Sequence, residues 1–287
     1  MTQAVENGAN MDVFVRKLPK RMVEKVWGRD ELPAPFQAPE GQRIGEIWFE
    51  PPSELGDLLV KYLFTSEKLS VQVHPGEDNA LEGEDSKEEC WLVLDAQPGA
   101  QLAIGFDKDI SADAIGTAAE DGTIEELLTW HDVKAGDIFH LTPGTVHAIG
   151  AGLSLVEVQQ NSDTTFRLFD YGRPRQLHLE RALAVAKGMP FPDHLKGTID
   201  ERGETLIDGT RFRLDRIEGA PGPEIETAYP GTLLVLPLQG TVKSAGKTAN
   251  SDTAQEVTAQ EGECLLASSL GALDFSDAKV TLLTRSV

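Results

Sequence analysis

Apolar and polar positions alternate through most of this chain in short runs that stop at Pro, Gly or Asp. The segments "EIWFE", "LLVKYLF", "LSVQVH", "CWLVLD", "AQLAIGF", "DIFHLT", "LSLVEVQQ" and "TFRLFDY" follow one another at short spacing. A period of two marks a strand with one buried face, and a series of this kind predicts a β-sandwich or barrel. Two passages break the pattern. "SADAIGTAAEDGTIEELLTWHDV" (111–133) predicts two short helices capped by Ser111 and Thr123. "LHLERALAVAKG" (177–188) carries a helical apolar stripe, with Gly188 as its terminator.

Composition shifts after "MPFPDHL", and further strands follow in "RFRLDRIEG", "GTLLVLPLQGTVKS", "AQEVTAQEGECLLASS" and "AKVTLLTRSV". The expected organisation is a disordered leader (1–11), a larger β-lobe with helical insertions (12–195) and a smaller β-lobe without metal ligands (196–287). Residues 135–147 align without gaps on 261–273, which hints at an internal repeat. Leu273 stands where the first copy has His147, so the candidate chemistry belongs to the first lobe.

Charge and cysteines narrow the class. The 287 residues carry 26 basic and 47 acidic side chains, a net charge of -21. That balance argues against nucleic-acid and anionic-membrane partners. It leaves room for a small anionic substrate in a locally basic pocket. The two cysteines, Cys90 and Cys264, are far apart and lack CxxC spacing, so reduced thiols and a cytoplasmic location are expected. "MTQAVENGAN" has no signal-peptide pattern, and no apolar run approaches the roughly 18 residues of a membrane span.

The chemistry starts in "KLSVQVHPGED". On a strand, Gln72 and His74 share one face while Val71 and Val73 share the other. Two buried polar groups side by side are costly unless each finds a partner, and a metal ion would serve both. In "SKEECWLVL", Lys87, Glu89 and Trp91 alternate onto one face. In "TPGTVHAIG" a Pro-Gly turn delivers His147 into an apolar strand. Each cluster alone has an ordinary reading: a surface His, a solvated strand end, a satisfied core His. Together they place Gln, His, Glu and His at the ends of strands in one lobe. Such N/O donors suit a divalent ion of the zinc class with one position left open. The ion would keep a net charge of plus one, which favours an anionic transition state.

"EVQQNSDTTFRLFDYGRPR" follows, with Asp163, Thr165 and Arg167 on one face by strand periodicity and Phe166 and Leu168 on the other. An exposed ion-paired strand is the ordinary reading. Arg173 and Arg175 lie beyond, available to bind phosphate by bidentate hydrogen bonds or to stay solvated. His140, seven residues before His147, is a candidate to project into the same barrel, though the sequence gives it no partner, and His131, His178 and His194 are expected at the surface. No phosphate-binding glycine loop, serine nucleophile elbow or dinucleotide fingerprint is present.

"LSVQVHP", "KEECW", "PGTVHAIG" and "QQNSDTTFRLFDYGR", in this order, resemble the motifs of type I phosphomannose isomerases of the cupin superfamily, in their short bacterial form. The resemblance implies a mainly β protein: a cupin-type barrel or jelly-roll lobe with short helices, and a degenerate cupin-like C-terminal lobe. It implies one Zn2+ per chain, held by Gln72, His74, Glu89 and His147, and interconversion of mannose 6-phosphate and fructose 6-phosphate through an enediolate. By position, Arg167 matches the family's active-site arginine with Asp163 just before it, and Lys87 matches a lysine lining the site. Ser86 departs from the histidine that longer members carry before that lysine. The expected partner is a sugar phosphate, with a monomer or homodimer as the assembly. A metal-dependent cupin acting on another sugar, an oxygenase and a non-catalytic sugar-binding cupin are the alternatives.

Overall fold

The structure is a computed structural model that describes residues 13–246 and 256–287. The expected leader, 1–11, lies outside the described residues. Contacts divide the chain into two units: Pro19–Arg216 with Thr284–Val287, and the stretch up to Leu18 with Ile217–Leu283. The division falls at Arg216 rather than at the expected 195. The strand Lys196–Thr198 explains the difference, because it pairs with Asp137–Leu141 and extends a sheet of the larger unit. Similarly, Val15–Lys17 pairs with Leu265–Ala267, which assigns it to the other unit.

The larger unit contains two antiparallel sheets. One runs, in spatial order, Lys196–Thr198, Asp137–Leu141, Glu89–Ala96, Leu153–Gln160, Leu58–Phe64, Ile44–Phe49 and Lys20–Arg29. The other runs Phe166–Phe169, Val71–Val73, His147–Ile149, Gln101–Phe106 and Leu128–Asp132. The protein is therefore mainly β, as expected. Among the described residues the two sheets remain separate ladders, with no strand closing them into one barrel.

Alternation along the smaller sheet decides what each face does. Val71, Val73, Ala103, Ala148, Phe166 and Leu168 turn outward and pack under Ile115, Ala118, Ala119, Ala182 and Val185 of the helices. The opposite face carries Leu102, Ile104 and Ile149 against Leu63, Trp91, Val93 and Leu155 of the larger sheet. That core between the sheets is fully dry: Trp91, Ile104 and Leu155 are all 0% exposed. Burying each such side chain contributes about 1.5–3 kcal/mol. The polar residues of the candidate site interrupt this same inner face.

The helical passages differ from the sequence expectation in detail. Ala112–Asp121 is a helix, and the Ser111 hydroxyl accepts from Ala114 N–H as a cap. The second helix covers only Ile124–Leu127, and the Thr123 side chain donates to Asp121 instead of capping it. "LTWHD", expected to be helical, is a strand because it extends the sheet beside Gln101–Phe106. The third helix, Leu179–Val185, ends before Gly188. Gly188 has another function: a Cβ there would sit 2.1 Å from Ile110 O, so only glycine permits this close approach.

In the smaller unit, Leu233–Ser244 pairs with Leu265–Ala267, Thr258–Gln260 and Leu273–Asp274. Its core gathers Val235, Leu265, Tyr229, Leu270 and Phe275. The aligned copies share local geometry, since Gly136 and Gly262 both take positive φ (91° and 80°). Strands begin at His147 and Leu273, the matching ends of the two copies.

Candidate metal centre

Register places the site. In antiparallel pairs, directly opposed residues point to the same face. His147 opposes Gln72, and Gln72 opposes Arg167, so these three form a line across the smaller sheet. On the larger sheet Glu89 opposes Gln159, Trp91 opposes Glu157, and Glu157 opposes Lys61. Lys61 in turn opposes Trp48. Both polar lines lie in the larger unit.

His74, Glu89 and His147 converge, with one ligand atom from each lying within 4.8 Å of the others. His74 Nε2 is 3.6 Å from Glu89 Oε2, and His147 Nε2 is 3.4 Å from Glu89 Oε1. Donors bound tetrahedrally to zinc lie about 3.4 Å apart, given bonds of about 2.1 Å. All three side chains are at most 3% exposed. Each imidazole is fixed by its other nitrogen: His74 Nδ1 meets Thr164 O at 2.8 Å and His147 Nδ1 meets Thr145 O at 2.9 Å. A carbonyl partner requires Nδ1–H to donate, which leaves the Nε2 lone pair for a cation. Beside them lies the Gln72 amide, with Nε2 3.2 Å from His147 Nε2 and Oε1 accepting from Ser70 Oγ at 3.2 Å.

Electrostatics favour the ligand state of each group. Burial, then the Lys87 ammonium, holds the His74 pKa well below its ordinary value, and burial lowers that of His147. Both rings are therefore neutral near pH 7. Burial alone would raise the Glu89 pKa, but Lys87, then His147, outweigh it and hold the group below the ordinary carboxylate value. Apart from the Lys87 ammonium 2.7 Å from Oε2, the carboxylate oxygens of Glu89 find no hydrogen-bond donor among the described residues. An ionised, buried carboxylate this poorly paired is costly. A divalent cation between it and two neutral imidazoles removes that cost, so the donor set fits a zinc-class ion.

Lys87 is buried and also lies 3.4 Å from His74 Nε2. Burial pulls its pKa down, but Glu89 and then Glu157 outweigh burial and raise it. In this arrangement Lys87 is an ammonium ion. A cavity of about 310 Å³ opens beside the group, lined by Gln72, Lys87, Asp163, Thr165, Arg167 and Arg175 among others. Asp163 is exposed and lies before the strand Phe166–Phe169, so it reaches the cavity from a loop and not by strand alternation. Arg167 is half-buried, and its Nε has no acceptor among the described residues.

Three polar residues of this face escaped the sequence reading. Lys61 donates to Glu157 Oε1 at 2.8 Å and also to Gln159, and Trp91 Nε1–H donates to Glu157 Oε2 at 3.0 Å. The signal was available in the alternation of "LLVKYLF" and "LSLVEVQQ": one lysine and one glutamate, each alone in an apolar strand. Other expectations fall outside the centre. His140 turns to the opposite face, where Nε2 meets Glu88 Oε1 at 2.8 Å. His131 is half-buried on its strand, against Phe139 and Phe191. His178 is half-buried too, and its Nδ1 accepts from Arg167 N–H.

The fold of this chain is similar to that of solved mannose 6-phosphate isomerases. The crystal structure of the Bacillus subtilis enzyme superposes with a TM-score of 0.73 over 94% of this chain and 98% of that one, at 23% identity. A zinc-bound mannose 6-phosphate isomerase superposes with a TM-score of 0.66 at 15% identity, covering 95% of this chain and 99% of that one. In sequence, the chain resembles mannose-6-phosphate isomerase ManA of Bacillus subtilis (strain 168), with 38% identity over 197 residues, 62% of each chain. It also resembles the mannose-6-phosphate isomerase of Streptococcus mutans, with 41% identity over 148 residues, 49% of this chain and 46% of the relative. The matched sequence thus spans less than two thirds of either relative. No protein-family model matches the chain.

Proposed function

We propose that this protein is a zinc-dependent aldose–ketose isomerase that interconverts mannose 6-phosphate and fructose 6-phosphate. The observation that carries this reading is the buried His74-Glu89-His147 group, in contact with Gln72 and Lys87, which line a neighbouring cavity together with Arg167. The names and fold of the relatives support the same reaction.

Isomerisation moves a proton between C2 and C1 while negative charge collects on O1 and O2. Zinc held by Gln72, His74, Glu89 and His147 supplies Lewis-acid stabilisation of that charge. The residues of the chain do the rest. Arg167, with an unpaired buried Nε, presents fixed donors to the developing oxyanion. Lys87, held as an ammonium by Glu89, is a proton donor or an electrostatic partner for the sugar oxygens. Acting as the base would require its carboxylate counter-charge to be drawn away. Asp163, at the exposed edge, is placed to help open the sugar ring. The dry walls of Leu63, Leu69 and Ile149 limit water around these groups.

The test is a coupled assay of mannose 6-phosphate conversion before and after chelation, with zinc added back. Turnover should vanish on chelation and return with zinc, and oxygen exclusion should not change it. Activity that persists in the fully stripped protein, or that needs oxygen, would overturn the reading.

A further inference from the structure

The loop after the Arg167 strand is shaped by its own carboxylate. Asp170, Tyr171, Gly172 and Arg173 form a tight turn in which Arg173 N–H donates to Asp170 O at 3.0 Å. Both central residues take positive φ, 56° at Tyr171 and 74° at Gly172. For a residue with a Cβ that conformation is strained, and it persists only where the surroundings demand it.

Asp170 is 2% exposed, and Arg175 grips it with Nε and Nη2, each at 2.6 Å. Arg173 also touches Asp170, at 3.3 Å, but otherwise donates to Glu67 and to Lys68 O, each at 2.9 Å. Two arginines that look equivalent in sequence are thereby separated. Arg173 is committed to the protein, whereas Arg175 lines the cavity together with Gln72, Lys87 and Arg167. A guanidinium has five N–H donors. Asp170 takes two of those on Arg175, so three remain.

The neighbouring guanidinium has spare donors as well, since Arg167 Nε is buried without an acceptor. Two guanidiniums thus line one cavity, in a chain whose net charge is -21. Arg167 registers the pressure: burial first, then the charge of Arg175, lowers its pKa. Guanidinium forks with spare donors match the geometry of a phosphate.

We propose that Arg175, fixed in place by the buried Asp170, is the phosphate-selecting residue of this cavity. Its free donors take the phosphomonoester of the sugar. The proposal rests on the isomerase reading above for the identity of the sugar. What it adds is the residue that recognises the phosphate and the carboxylate that positions it.

The experiment compares wild type, Arg175→Ala and Arg175→Lys for kcat and KM with mannose 6-phosphate, and for competitive inhibition by inorganic phosphate. In Arg175→Ala, KM and the phosphate inhibition constant should each rise tenfold or more, with most of the loss in KM. Arg175→Lys keeps the charge without the fork and should fall between. It carries the test if the alanine variant fails to give a cooperative melt. Wild-type KM and phosphate inhibition in the variants would overturn the proposal while leaving the isomerase reading intact. Should wild type not turn over mannose 6-phosphate, calorimetric titration with inorganic phosphate decides separately. Weaker phosphate binding in the variants than in wild type supports the assignment, and equal binding overturns it.

Discussion

Each buried ionic group of the centre has an opposite charge within reach. Lys61 and Glu157 are at most 5% exposed and meet at 2.8 Å, with Trp91 and Gln159 taking up remaining valences. Breaking a buried pair of this kind costs about 3–5 kcal/mol, so these residues are bound to one another energetically as well as in space. Arg167 differs, because its guanidinium faces the cavity with donors unspent. Spent protein-internal bonds stabilise the fold, whereas unspent ones are available to substrate. Arg167→Ala should therefore lower kcat by about 10²–10³, the typical loss for one oxyanion donor, while zinc content by atomic absorption stays at the wild-type level. Lost zinc would mean that Arg167 supports the ligands instead, and unchanged turnover would remove it from the chemistry.

At the scale of elements, the turn Thr142–His147 positions two of the three metal-capable side chains, His74 and His147. Gly144 N–H donates to His74 O at 2.8 Å, and Lys187 N–H donates to Gly144 O at 2.8 Å. Thr145 O, in the same turn, holds the His147 ring. Gly144 needs its φ of 85°, and a Cβ there would meet Val185 O at 2.9 Å. Gly144→Ala should cost at least about 1 kcal/mol and weaken zinc retention against a chelator, because it displaces both histidines at once. Thermal melts with and without chelator check this, and a variant that holds zinc as wild type does would show the turn to be incidental. The Pro-Gly turn and the strand after it were readable from composition. The link to His74 was not, since it joins residues distant in sequence. The strand Leu128–Asp132 shows the same limit, because pairing with Gln101–Phe106 overrode a locally helical pattern.

For the whole molecule, the metal-free centre makes stability depend on pH. The folded-state pKa values of His74 and His147 lie below the ordinary 6.5. Between those values and about 6.5 the unfolded chain binds more protons than the folded one, so stability falls as pH falls. The contribution is fully present above about pH 7. It is lost below that at up to about 1.4 kcal/mol per pH unit for each ring kept neutral. Zinc-stripped protein should therefore melt at a lower temperature at pH 5.5 than at pH 7.5, and His147→Gln should flatten the difference. Equal melting temperatures in the stripped wild type would show that the rings are not held neutral.

The alternation of apolar and polar residues determined by itself that the chain would build strands. It also determined that Gln72 and His74 share a face, and that His147 follows a tight turn. These are local properties, set by the two-residue period and by Pro-Gly chemistry. The order of the motifs pointed to the type of centre. Only the tertiary structure decided that Glu89 meets both histidines and that Lys61 belongs with Glu157. Tertiary contacts also committed Arg173 to the protein and left Arg175 facing the cavity. Those outcomes depend on strand register and on buried pairings between distant segments, and the free energy that selects them comes from burial, which no single segment carries.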